Sequence, residues 1–346
     1  LKNNLTIHKD WRNRKMSLKE TTWFGETIIE FSAGGYKAVM VPGVGANVIQ
    51  LINLKKEVDI LKTPKSLEEL KEKPQGYGIP LLFPPNRIEN ATYTLNDKTY
   101  NFPRNAGTTN NHAHGILRGL PFNIVRAEEI EENVVEIEVS FISDKENDAM
   151  FVYFDHEFEC RIIYRLSKEG LEQKLTFINN SKSPMPLGVG FHTTLNVPFY
   201  KGSRREDYRL IISANEKWEL SDKKLPTGKI LPLNEKENEY RQSGMMPYEF
   251  PLDNCYIARP LDLEGRKYHG AILVDTSKDL RVYYEVGEEY KHWTIWNKNM
   301  EGDFICPEPQ TWTINAPNLD LPMELTGVKL LPPGESWSET SKIYVN

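Results

Sequence analysis

The stretch Phe158-Glu159-Cys160-Arg161-Ile162-Ile163-Tyr164-Arg165-Leu166-Ser167-Lys168-Glu169-Gly170-Leu171-Glu172-Gln173-Lys174-Leu175-Thr176-Phe177 decides the fold class. In its first half Phe158, Cys160, Ile162, Tyr164 and Leu166 alternate with Glu159, Arg161, Ile163 and Arg165. A period of two sends successive side chains to opposite faces of a strand, so one face is apolar and the other meets water. Leu171, Leu175 and Phe177 carry the alternation on across Glu172, Lys174 and Thr176. Between the two runs, Ser167 to Gly170 has the composition of a hairpin loop, with Gly170 able to take a positive φ. Paired strands with one wet face are the mark of an antiparallel sheet.

The same pattern extends outward. Val135, Ile137, Val139 and Phe141 interleave with Glu136, Glu138 and Ser140, and Asn96-Asp97 reads as the turn of a hairpin between Tyr93-Thr94-Leu95 and Lys98-Thr99-Tyr100. Helical signal is scarce. Its best segment is Ser66 to Lys73, where Ser66 and Glu69 have capping-box spacing. The 22 Gly and 22 Pro cut the rest into short strands and loops. No strand–helix–strand rhythm is present, which disfavours a parallel α/β fold. The expectation is an all-β chain, a large antiparallel β-sandwich with few short helices. It fills residues 22–346 as one domain, after a polar extension over residues 1–21.

Composition narrows the function classes. With 43 Lys and Arg against 49 Asp and Glu, the net charge is −6, which does not suit a phosphate backbone, so no nucleic-acid partner is expected. Three isolated cysteines, Cys160, Cys255 and Cys306, suggest neither a disulfide framework nor a zinc or redox pair. No apolar run reaches membrane-spanning length, and Leu1 to Lys19 is polar and basic without the apolar core of a secretory signal. These features predict a cytoplasmic protein with no membrane partner. The first residues read equally as a native extension or as an appended segment, with Met16 a candidate start.

Four stretches place titratable side chains among Gly, Pro and apolar neighbours: 78–88, 110–119, 188–196 and 305–312. A charge in such a setting is paired, hydrogen-bonded or functional, because an unpaired buried charge is costly. Arg87 offers a five-donor fork for hydroxyls or a carboxylate, or a structural ion pair. His112 and His114, two apart, would share one face of a strand, as a metal pair, a catalytic imidazole or ordinary loop histidines. His192 follows a Gly-rich bend and reads either as catalytic or as a core histidine bonded to a carbonyl. Glu308 stands between Pro307 and Pro309, whose fixed φ stiffens the backbone around a carboxylate suited to act as general base or as a loop ion pair. Asp253 can orient a ligand or close an Asx-turn. Trp293, Trp296 and Trp312 are candidate platforms for a sugar ring, or core residues.

Taken in order, Asn86-Arg87-Ile88, His114-Gly115, His192 with Asn196, Asp253, Glu308-Pro309-Gln310 and the C-terminal Thr326-Gly327 to Leu331-Pro332-Pro333-Gly334-Glu335 resemble the aldose 1-epimerase (galactose mutarotase) family. The resemblance runs from about Thr22 to Tyr344. It implies a galactose mutarotase-like supersandwich with the sugar in a concave cleft, Glu308 as general base, His192 as general acid and His114 as a second active-site imidazole. Arg87 and Asp253 match substrate-binding residues, with Asn86, His112 and Trp312 as further candidates. The family's double glycine after the first His is absent, since Ile116 follows Gly115. The implied reaction is interconversion of the α and β anomers of a free aldose, with no cofactor and no metal, by a monomer or homodimer.

Two other readings remain open within the fold. One is a hexose-6-phosphate mutarotase, for which Arg104, Arg118, Arg204 and Arg205 are available cations, although these also read as solvated surface charge. The other is a non-catalytic carbohydrate-binding or sensing protein. Outside the fold, a metal-dependent cupin built on His112, His114 and His192 is disfavoured because Arg118 and Gly119 occupy the region where a Glu ligand belongs. A glycosidase needs two carboxylates, and Asp253 with Glu308 would leave the histidines without a role.

Overall fold

The computed structural model describes residues 17–146, 148 and 150–346. Ser17 to Thr21, read from sequence as the end of the polar extension, belong to a strand, Ser17–Trp23, that pairs antiparallel with Glu26–Ala33. The rest of that extension, with Met16, lies outside the described residues.

The opening stretch forms the hairpin its alternation predicts. Phe158–Ser167 pairs with Gly170–Asn179, Ser167 opposite Gly170, and its inward positions are buried while alternate ones are not. Gly170 has a φ of 103°, and a Cβ there would stand 2.3 Å from the Ile343 carbonyl oxygen, so the turn and the close approach of the neighbouring strand both call for glycine. Asn96 and Asp97 both take positive φ, as a two-residue type I′ turn requires.

These strands sit in an eight-stranded antiparallel sheet. Its spatial order is Asn123–Glu131, Val134–Ser143, Phe158–Ser167, Gly170–Asn179, Ser336–Val345, Leu280–Val286, Gly270–Asp275 and Tyr208–Ile212. A second sheet runs Pro226–Pro232, Ala214–Leu220, Asp253–Ala258, His292–Trp296, Phe304–Gln310, Gly190–Phe191 and Leu81–Leu82, and Leu195–Asn196 also pairs with Phe304–Gln310. A five-stranded antiparallel meander, Ser17–Trp23 to Val58–Asp59, completes the sandwich.

One continuous apolar core joins all three sheets, with Phe31 and Leu51 from the meander, Ile162 and Leu175 from the first sheet, and Trp293 and Ile305 from the second. Phe83 stacks on Phe177 at 4.7 Å between ring centres, and Tyr284 meets the edge of Trp293 at 6.2 Å. The architecture is the expected antiparallel all-β sandwich. Its longest α-helix is Leu67–Glu72, where Ser66 Oγ accepts from Glu69 N–H. The return arm of the cap goes one residue further back, Glu69 Oε2 accepting from Lys65 N–H at 2.7 Å. No helix of the described residues is long and apolar enough to cross a membrane.

Candidate active site

The strand Phe304–Gln310 is buried at every position. It pairs along its length with His292–Trp296, but on its other edge only near its ends, Phe304 and Ile305 with Asn196 and Leu195 and Gln310 with Gly190. That interrupted edge accommodates Pro307 and Pro309, which have no N–H to give to a ladder. Period two then puts Glu308 and Gln310 on one face, and the register Thr294↔Glu308 sets Thr294 beside them.

Glu308 is 1% and His192 4% exposed. Glu308 Oε1 lies 3.1 Å from His192 Nε2, and the other carboxylate oxygen accepts from Gln310 Nε2 at 3.3 Å. Gln310 Nε2 also donates to Thr294 Oγ1 at 3.2 Å, and Asn86 Nδ2 donates to the same hydroxyl at 3.1 Å. This network ties the carboxylate to two other elements and fixes its rotamer, as a positioned base requires. Beside it, Arg87 makes a two-pronged contact with Asp253, Nη1–Oδ1 at 3.3 Å and Nη2–Oδ2 at 2.8 Å. His114 is placed by a left-handed backbone with φ of 63° and by its N–H bond to the Asn86 carbonyl at 2.9 Å. Its ring meets the His192 ring edge-on at 5.1 Å, and Trp296 meets His192 from another side at 5.5 Å.

These groups share a cleft of about 580 Å³, also lined by Lys62, Glu69, Tyr77, Lys298 and Phe304. That volume and mixed lining fit a monosaccharide-sized ligand.

Burial sets the electrostatics. It pushes Glu308 well above the ordinary carboxylate range, and the negative charge of Asp253 adds to the rise, against the smaller opposing effects of Arg87 and Gln310. Burial also lowers His192 to about 4, with Arg118, Arg87 and Lys62 contributing in the same direction. Loss of hydration therefore disfavours the imidazolium even with a carboxyl group 3.1 Å away. Both shifts favour the neutral forms, a carboxyl group and an unprotonated imidazole, which draws a shared proton to the carboxyl side of the 3.1 Å contact. His114 is likewise lowered well below its usual range, by burial first and then by His192 and Arg118, and is neutral.

Six of the eight site candidates converge here: Glu308, His192, His114, Arg87, Asp253 and Asn86. Two do not. His112 is fully buried, its Nδ1 donating to the Pro103 carbonyl at 2.8 Å and its ring against Phe102 at 5.0 Å. The shared strand face expected for His112 and His114 fails because the strand ends at Ala113 and His114 turns left-handed. Trp312 is buried too, with Nε1 donating to the Pro85 carbonyl and the ring against Gly188. Trp293 lies in the core, which leaves Trp296 as the tryptophan of the cleft. Sequence reasoning missed Lys62, Tyr77, Thr294, Lys298 and Phe304. Lys62 follows Ile60-Leu61 and precedes a Thr-Pro, and Thr294 sits inside an apolar run; neither carries a local signal.

Among the described residues, His114, His192 and Glu308 have donor atoms within 4.8 Å of one another, a set of the kind that binds zinc. His112, the first histidine of the cupin alternative, is outside it.

The aldose 1-epimerase family profile matches residues 27–344. A crystal structure of a galactose mutarotase-like protein from Clostridium acetobutylicum is 38% identical, covers 96% of this chain and 99% of its own, and superposes with a TM-score of 0.94. A galactose 1-epimerase from Lactobacillus acidophilus shares the fold at 16% identity, with a TM-score of 0.68 over 95% of this chain and 99% of its own. Protein LacX of Lactococcus lactis is 24% identical over 204 residues, and the match spans 57% of this chain and 62% of that relative's length.

Proposed function

The chain belongs to the aldose 1-epimerase family, and from that premise we propose that it catalyses mutarotation, interconverting the α and β anomers of an aldose at Glu308 and His192. The observation that carries this reading is the 3.1 Å contact between a buried carboxylate and a buried imidazole on the floor of a monosaccharide-sized cleft. Mutarotation needs two proton movements and no redox change. Glu308 takes the proton of the anomeric hydroxyl and His192 delivers one to the ring oxygen. The C1–O5 bond breaks, the aldehyde turns about C1–C2, and closure on its other face inverts the anomer.

Because the pair holds one proton near the carboxylate, the reactive carboxylate–imidazolium form arises by proton transfer across that contact. Sugar hydroxyls and the Arg87–Asp253 pair stabilise the charges as they develop. Each positioned acid or base contributes roughly 10²–10⁴-fold. His114, neutral, serves as a hydrogen-bonding partner for the sugar rather than as a titrating group. The direct test is NMR or polarimetry on freshly dissolved α-glucose, α-galactose and a panel of further aldoses. Sugar binding with no acceleration of anomerisation would reassign the chain as a binding protein.

The pH dependence follows from the shifts. Below about pH 4 His192 also binds a proton, the pair holds two, and no carboxylate is left to act as base. As pH rises through the raised Glu308 value, the pair loses its only proton and no acid is left. The kcat/KM profile is expected to have an acid limb near pH 4 and an alkaline limb well above the carboxylate range. A fall centred on an ordinary imidazole value of about 6.5 would instead assign the proton to an unperturbed histidine.

Exhaustive dialysis against a strong chelator should leave the rate unchanged, because the proposed steps use His192 and Glu308 on each other and on the sugar. Loss of activity restored by added zinc would make the His114–His192–Glu308 trio a ligand set.

A further inference from the structure

The cleft has a cationic wall that ring opening does not use. Lys62 Nζ stands 4.4 Å from the centre of the Tyr77 ring and 4.2 Å from that of Phe304. Its one hydrogen bond, to the Gly76 carbonyl, is long at 3.4 Å, and no carboxylate of the described residues lies within ion-pair distance. The backbone beneath it is pinned. Lys62 N–H donates to the Thr194 carbonyl, Gly78 N–H donates to the Lys62 carbonyl, and Asn196 Nδ2 donates to the Leu61 carbonyl. Of the two acidic residues near this wall, Glu69 is committed to the Tyr77 hydroxyl and to Lys65 N–H, and Asp303 faces Arg205 at 3.8 Å.

Lys298 lines the same cleft from an unusual turn. Lys298, Asn299 and Met300 have φ of 49°, 54° and 67°, three successive non-glycine residues in the left-handed region. Each such residue costs of order 1 kcal/mol and persists only where its surroundings enforce it. Here Asn297 enforces it, accepting from Met300 N–H and donating to the Pro247 and Phe250 carbonyls. Arg205 braces the far side, donating to the Met300 carbonyl at 2.9 Å with its guanidinium over the Tyr248 ring. The ion pair Lys298 makes, with Glu301 at 3.4 Å, is exposed on both sides and worth little.

Burial lowers the Lys62 ammonium from its usual range, and the positive charges of Lys298 and Lys65 add to that lowering, against Cys306 and Glu69. Two ammonium groups held on one cleft, one of them without a counter-ion, are complementary to an anion. The arginines that sequence offered for this purpose are otherwise placed. Arg118 is spent on the His114 and Gly115 carbonyls and Arg204 on Asp207, and neither these two nor Arg104 and Arg205 line the cleft.

We propose that Lys62 and Lys298 form an anion subsite, and that the preferred substrate is an aldose bearing a phosphate monoester or a carboxylate remote from its anomeric carbon. This rests on the mutarotase reading for the reaction, but the subsite can be tested without turnover. Tyr77, Phe304 and Trp296 supply the apolar wall for the sugar ring between the two ends.

The experiment compares glucose 6-phosphate, glucuronate and glucose on the full chain, by calorimetric binding and by NMR anomerisation. The wild-type protein should favour an anionic sugar over glucose by about tenfold or more, the size of one charged hydrogen bond. Preference for glucose 6-phosphate alone identifies the phosphate as the source, and preference for glucuronate alone the carboxylate. Lys62→Met and Lys298→Met, checked for unchanged melting temperature, should each erase most of that preference. Equal or weaker binding of both anionic sugars, or a preference untouched by both substitutions, overturns the subsite. Lysine-dependent binding of glucose 6-phosphate with no anomerisation of any sugar would keep the subsite and reject the mutarotase.

Discussion

Glu308→Gln is expected to lose roughly 10²–10⁴-fold in kcat while KM for the sugar changes little. The amide has the shape of the carboxyl group and can still accept from Gln310 Nε2, which now donates to the second carboxylate oxygen at 3.3 Å. It cannot take a proton from the anomeric hydroxyl. It also cannot pass one to His192 across the 3.1 Å contact, so the alkaline limb of the pH profile should vanish with the rate. His192→Asn should produce a similar loss for the complementary reason. Because both substitutions dismantle one single-proton pair, the double variant should be little slower than either single one, as for residues that act as a unit. Saturation kinetics by polarimetry with a sugar-binding control reads all three. Full activity in Glu308→Gln would remove this carboxylate from the chemistry, and strictly multiplicative losses would mean that the two groups act independently.

The fold was legible where solvent and core impose a period on the chain. Val134–Ser143, Phe158–Ser167 and Gly170–Asn179 each have one wet face, and their alternation predicted both strands and faces. The strand that carries Glu308 was not legible in this way, because it is buried on both faces and carries two prolines. Such a strand has no alternation to read, and its position in the sheet follows from pairing with His292–Trp296, residues close in sequence whose register no local pattern fixes.

The site divides along a similar line. Glu308, His192, His114, Arg87, Asp253 and Asn86 stood out as polar groups in Gly- and Pro-rich apolar surroundings, a local property. Ordered along the chain, they matched a family pattern. His112 satisfied the same local criterion and belongs to the core, since the reversal of backbone sign at His114 separates two residues that a strand would have kept together. Trp312 failed for want of any local signal that tells a wall of the cleft from a plug of the core. Lys62 and Lys298 were invisible for the opposite reason. Lysines in polar loops look solvated, and only the packing of Lys62 against Tyr77 and Phe304 brings one of them onto the cleft.

That reversal of backbone sign yields the second large effect, in the substitution Gly115→Ala. Gly115 has a φ of 69°, immediately after His114 at 63°. An added Cβ would stand 2.3 Å from the Phe83 carbonyl oxygen and 2.4 Å from the Phe83 carbonyl carbon and nitrogen. These are backbone atoms of a buried segment whose carbonyl already accepts from Ile116 N–H at 2.8 Å, so no side chain can swing aside. The left-handed conformation alone costs an alanine about 1 kcal/mol, and the displaced backbone raises the total to about 2–4 kcal/mol. Gly25→Ala separates the two contributions: Gly25 has a φ of 82° with nothing within 4 Å of the added carbon, so it loses the conformational part alone. The melting temperature should therefore fall by several degrees more for Gly115→Ala than for Gly25→Ala. Activity per folded molecule at 25 °C should fall only in the former, by up to about 100-fold if His114 moves by about an ångström. Equal melting points and full activity in both would mean that the loop yields freely, and that the position of His114 against His192 does not matter to the reaction.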